Sequence, residues 1–74
     1  MNISVKLFAS LRHGRFEEMA INCAIDSTVG VIIRELGIPM DQVVIMLVND
    51  KHVNSGYHMS AGDTLSLFPP LGGG

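Results

Sequence analysis

From residue 2 to residue 8 the chain alternates, with Ile3, Val5 and Leu7 apolar and Ser4 and Lys6 polar. A period of two puts each set of side chains on its own face, which predicts a half-buried β-strand. Arg12, His13, Gly14 and Arg15 make a polar, glycine-containing stretch that reads as a turn. Alternation resumes over residues 16–23, with Met19, Ile21 and Cys23 on one face and Glu18, Ala20 and Asn22 on the other. The two segments predict a hairpin. The period then changes: Val29, Ile32, Ile33 and Leu36 stand at i, i+3, i+4 and i+7, one face of a helix. Asp26 or Ser27 is expected to cap its N-terminus by accepting a backbone N–H. Gly37 is placed to cap the C-terminus, and Pro39 prevents the helix from resuming. Gly30 inside the helix costs about 1 kcal/mol relative to Ala, a cost that close packing on the sheet would explain.

Residues 43–48 form a continuous apolar run, the third predicted strand, turned by Asn49, Asp50 and Lys51 into a short extended piece at His52 and Val53. Residues 55–59 read as irregular, Ala61, Gly62 and Asp63 as a turn, and residues 64–68 as the last strand, with Leu65 and Leu67 inward. The order β-β-α-β-β-β predicts an α+β layer pair with the helix on one face of a mixed sheet of four to five strands. The run 43–48 is apolar on both parities, so the face opposite the helix is expected to be a partner surface or to lie under a loop. Phe8 and Phe68 point away from Leu7 and Leu67. If the first and last strands are neighbours, their rings form an exposed patch.

With 74 residues and 8.0 kDa the chain is sized for one domain. Its single cysteine excludes an internal disulfide and fits a reducing cytoplasm. A net charge of −2 without a basic run argues against nucleic acid as partner. No apolar stretch approaches the roughly 20 residues of a membrane helix, and the N-terminus does not have the pattern of a signal segment. Cys23 shares the parity of Met19 and Ile21 and has no basic neighbour, so it reads as buried and unreactive. His13, His52 and His58 have no metal-ligand spacing. Met40 and Met59 read as packing residues, and Met46 as either core or interface. Arg12, Arg15 and Lys51 read as solvated charges, with Arg12 a lesser candidate for meeting an acidic partner.

The chain closes on Phe68, Pro69, Pro70, Leu71, Gly72, Gly73 and Gly74. Glycine has no Cβ and can pass through a channel too narrow for other residues. The α-carboxylate of Gly74 is ionised at neutral pH and can attack a phosphorus atom. Residues 71–74 reach at most ~13–14 Å when extended. Pro69 and Pro70, with fixed φ, stiffen the base of that arm. The glycines are not a phosphate loop, because no Gly-Lys-Ser/Thr and no helix follow them. Two parts are therefore expected: a presenting domain, residues 1–68, and a flexible tail, residues 69–74.

Three blocks carry a resemblance to a known family: Leu7-Phe8-Ala9-Ser10-Leu11-Arg12, Ser27-Thr28-Val29, and the stretch from Gly62 to Pro70 together with terminal Gly73-Gly74. The chain resembles the ubiquitin-like sulfur carriers of the β-grasp fold (MoaD and ThiS types), and among them the small subunit of molybdopterin synthase. The Phe68-Pro69-Pro70 element favours that side. Residues 48–53 and the compact length are similar to the thiamine-pathway carriers. Gly72 departs from the Ala or other small residue often found before the final pair. The resemblance implies a non-catalytic carrier that binds no cofactor itself. An ATP-using, E1-like enzyme adenylates Gly74, and sulfur from a sulfurtransferase or cysteine desulfurase then replaces AMP to give a thiocarboxylate. It further implies a larger synthase subunit of the MoaE type, or a thiazole synthase, as the acceptor of the tail. Gly73, Gly72, Leu71, Pro70, Pro69, Phe68 and Phe8 are the partner-binding candidates. Donation for thiazole synthesis, conjugation of Gly74 to target lysines, and a binding module with an incidental tail are the alternatives.

Overall fold

The computed structural model describes residues 1–70. Strand β1 spans Asn2–Leu7, β2 Glu18–Asn22, β3 Ile45–Val48, β4 Lys51–His52 and β5 Thr64–Phe68, and helix α1 spans Val29–Glu35. The sheet order is β2-β1-β5-β3-β4. Strands β1 and β5 are parallel, and the other neighbours are antiparallel. The hairpin, the crossing helix and the central parallel pair make the α+β layer pair anticipated from the periodicity, in the ubiquitin-like β-grasp form that the family resemblance implied.

One face of the sheet packs on α1. Ile3, Val5, Leu7, Leu65, Leu67 and Val48 meet Val29, Ile32 and Ile33 in a core where each is at most 3 % exposed. Burial of this kind is worth roughly 25 cal/mol per Å² of apolar surface and is the main stabilising term. Cys23 is buried, as its parity predicted. Met59 is buried and Met46 packs against the core, whereas Met40 is 43 % exposed. No helix among the described residues is long and apolar enough to cross a membrane.

The helix N-terminus differs from expectation. Thr28 is the cap, its Oγ1 accepting from Val31 N at 3.3 Å. Asp26 is in the left-handed region at φ 70°, and Ser27 donates its hydroxyl to the Ala24 carbonyl at 2.7 Å, so neither is placed to cap. Val29 N donates to Tyr57 O and Gly30 N to Ser55 O, so the loop over residues 53–60 satisfies two more of the end's orphan donors. At the other end Gly37, φ 74°, donates to Arg34 O, and Ile38 donates to Ile33 O. This is the Schellman arrangement, with the side chain of Ile38 buried beneath it. Gly30 faces Ser55 of that loop, and not the sheet.

Two strand starts also differ. Strand β2 begins at Glu18 and is an edge strand beyond the helix's cover, which leaves Met19 45 % exposed although its parity is the core's. Strand β3 begins at Ile45, because Met40–Gln42 winds a 3₁₀ turn and Val43 N donates to Met40 O.

Candidate functional site

Strand β5 is held at its very end. Val44 N donates to Phe68 O at 2.9 Å, and Phe8 N donates to Leu67 O at 3.2 Å. Pro69 follows with no N–H to offer. The end of β5, where Pro69 begins, is therefore fixed by its neighbours on both sides.

The parallel register pairs Leu7 with Leu67, so the next residues, Phe8 and Phe68, stand side by side. Their rings stack, with centroids 4.2 Å apart and planes at 10°. Both are half-buried, on the face opposite α1. The condition set by the sequence, that the first and last strands be neighbours, is met.

The same face continues across β3. Ile45 is paired with Phe68 and Leu47 with Ser66, and both apolar side chains are half-buried. Met46 and Val48 take the core parity, opposite Leu67 and Leu65. An apolar row thus runs Phe8, Phe68, Ile45, with Leu47 beside it. Lys6, next to Ser66 across β1 and β5, and His52, opposite Leu47, lie on this face too. The sequence marked the two parities of residues 43–48. It did not mark the contacts of Arg12. Its guanidinium lies 5.4 Å from the Phe8 ring centroid, and its Nε donates to Leu7 O at 2.7 Å. Glu17 approaches it at 3.6 Å. A positively charged side chain five residues after the end of an aromatic-tipped strand was the only signal, and a weak one.

The described residues hold no cluster of three or more metal-ligating side chains. His58 instead sits on the surface with Nδ1 3.0 Å from Asp26 Oδ1. An open depression of about 500 Å³ lies at the far end of β3, lined by Lys51, His52, Asn54 and Tyr57 among others. It is at the opposite end of the strand from Ile45 and Phe68. Of the predicted site residues, Phe8, Phe68 and Pro69 are brought together or adjacent, and Pro70 follows exposed to solvent. Leu71, Gly72, Gly73 and Gly74 lie outside the described residues.

Solved structures share this architecture over nearly the whole chain. SAMP1 of Haloferax volcanii superposes with a TM-score of 0.78 at 28% identity, covering 100% of both chains. A Pyrococcus furiosus protein assigned as subunit 1 of a molybdopterin converting factor gives 0.78 at 24% identity, covering 96% of this chain and 99% of that one. A chain in the complex of subunits 1 and 2 of the Helicobacter pylori molybdopterin-converting factor gives 0.67 at 23% identity, covering 100% of each. No curated protein sequence matches significantly. Residues 5–74 match the ThiS family model. The chain belongs to the ThiS family, the small ubiquitin-like sulfur carriers.

Proposed function

We propose that this chain carries sulfur as a thiocarboxylate on Gly74 and donates it in molybdopterin biosynthesis, as the small, non-catalytic subunit of the synthase. The observation that carries the reading is the stacked Phe8–Phe68 pair at the root of a chain end that runs through Pro69-Pro70 to three glycines. Residues 1–68 present the arm and residues 69–74 deliver it. The apolar row from Phe8 to Ile45 is the docking surface, and a larger subunit with a deep pocket receives the tail.

The chemistry is acyl activation. A carboxylate oxygen of Gly74 attacks the α-phosphorus of ATP, held by an adenylating enzyme, and pyrophosphate leaves. The terminal sulfur of a persulfide on a sulfurtransferase or cysteine desulfurase then forms a C–S bond at the acyl carbon, and the C–O bond to AMP breaks. A thiol reductant attacks the donor's sulfur in the resulting acyl disulfide, so that the S–S bond breaks, the donor cysteine and that thiol end as a disulfide, and the thiocarboxylate leaves on Gly74. This chain contributes the carboxylate and its presentation, and its partners contribute ATP binding and catalysis. Cys23 stays out of the sulfur path because it is buried. The complex of a structural relative with subunit 2 supports a larger subunit as the partner. Thiazole synthase is the alternative acceptor within the same family.

Binding of the full chain to the two candidate acceptors, the molybdopterin synthase large subunit and thiazole synthase, tests the pathway. Preferential binding to the large subunit is expected. Binding to thiazole synthase alone moves the carrier to thiamine synthesis. The likeness to a small archaeal modifier protein over 95% of this chain favours a second reading, in which Gly74 is joined to target lysines. Denaturing gels that show the chain attached to other proteins through an isopeptide bond would establish it.

A further inference from the structure

Arg12 is the best-engaged charged side chain on the docking side of the molecule, and sequence alone made it a solvated cation. Its position starts at Ala9, which takes the left-handed conformation at φ 52° directly after Phe8. A non-glycine residue there costs on the order of 1 kcal/mol. The turn is held because Leu11 N donates to Phe8 O at 3.1 Å and the Leu11 side chain is 1 % exposed. The 3₁₀ turn Ala9–Arg12 therefore folds back on the end of β1 and brings Arg12 over the ring of Phe8.

The Phe68 ring stacks on Phe8 at 4.2 Å, and the Arg12 guanidinium lies over the same Phe8 ring at 5.4 Å from its centroid. Arg12 Nε closes the arrangement by donating to the carbonyl of Leu7, the residue just before Phe8. Planarity lets one guanidinium both cover a ring and donate in its own plane. A lysine ammonium does one or the other. Glu17 at 3.6 Å balances the charge.

We infer that Arg12 is a positioning residue for the docking face. It clamps Phe8 against Phe68 in the free protein, so that the face beside Pro69, at the root of the tail, is ordered before the partner arrives. This rests on the docking role proposed above for the two rings. Arg12 acts through Phe8, and its charge as such is secondary. A rim charge acting directly on a partner would change the association rate and its salt dependence, whereas lost preorganisation weakens binding with the salt dependence unchanged.

The test compares Arg12→Lys, Arg12→Ala and Phe68→Ala in the full chain, with the molybdopterin synthase large subunit as the probe. Aromatic proton NMR of the free proteins reads the ring stack, and titration at two salt concentrations reads binding. Both Arg12 variants are expected to shift the Phe8 and Phe68 ring resonances. Both are expected to bind roughly tenfold more weakly with the wild-type salt dependence. The lysine variant preserves charge and stem, so the comparison survives if the alanine variant proves unstable. Wild-type binding by Arg12→Lys, or unshifted ring resonances in Arg12→Ala, overturns the inference. Wild-type binding by Phe68→Ala overturns the docking role itself, and the ring resonances still decide whether Arg12 holds the stack.

Discussion

Gly30 stands in the first turn of α1, where alanine would be the better helix former by about 1 kcal/mol. A Cβ there would lie 3.2 Å from Ser55 O and 3.3 Å from Ser55 Cβ. Ser55 cannot simply retreat, because its carbonyl accepts the Gly30 N–H at 2.9 Å. Gly30→Ala is therefore expected to destabilise the protein by about 1 kcal/mol net, measured by urea unfolding. A more stable variant would show that the 53–60 loop yields freely. At Phe68 the balance is the reverse. The ring is half-buried and its stacking on Phe8 is worth about 1 kcal/mol. With the ring's partial burial added, Phe68→Ala should lower unfolding free energy by about 2 kcal/mol while weakening large-subunit binding by about 2 kcal/mol or more, the range of a hot spot. A loss of several kcal/mol in stability with unchanged affinity would make Phe68 a core residue.

At the scale of elements, the hydrophobic pattern located β1, β2, α1, β3 and β5, the short β4 lies one residue earlier than the extended piece expected at His52 and Val53, and the element ends were less legible. Gly37 and Pro39 marked the end of α1 because a left-handed cap strongly favours glycine and proline cannot continue a helix. Its start was ambiguous because Asp26, Ser27 and Thr28 are all capping residues in succession. The choice is made by the turn before the helix, where Asp26 adopts positive φ and Ser27 binds back to Ala24. Thr28→Ala should cost about 1 kcal/mol in chemical unfolding, and Thr28→Ser very little. An equal loss in both would mean that the Thr28 methyl, and not its Oγ1, supports the helix. The start of β3 was misplaced for a different reason. Val43 and Val44 continue the apolar run, but Val43 N is bonded back to Met40 O of the 3₁₀ turn and Val44 makes a single bond to Phe68 O, so the strand register begins at Ile45. The aromatic stack depended on the parallel pairing of β1 and β5, strands far apart in sequence, which periodicity cannot specify. The Arg12 contacts depended further on a left-handed Ala9, for which the sequence carries no signal.

Taken whole, the molecule has one face committed to its core and the other left with an apolar row that ends where the chain leaves the sheet. The described residues supply no metal-ligating cluster, and the helix N-terminus is already satisfied by Thr28, Ser55 and Tyr57. In the function proposed above, the reactive group is the Gly74 carboxylate and the catalytic machinery belongs to the partners. Gly74→Ala, or one residue appended after Gly74, should abolish adenylation while leaving the unfolding midpoint unchanged, since the buried core is built from residues between Ile3 and Leu67. Wild-type adenylation by either variant would contradict the terminal-carboxylate mechanism. The most direct measurement is the intact mass of the full chain after incubation with its adenylating enzyme, ATP and a sulfur donor. The account predicts a gain of about 16 Da, oxygen replaced by sulfur, confined to the C-terminal peptide. An unchanged mass, or sulfur carried on Cys23 instead, would contradict it.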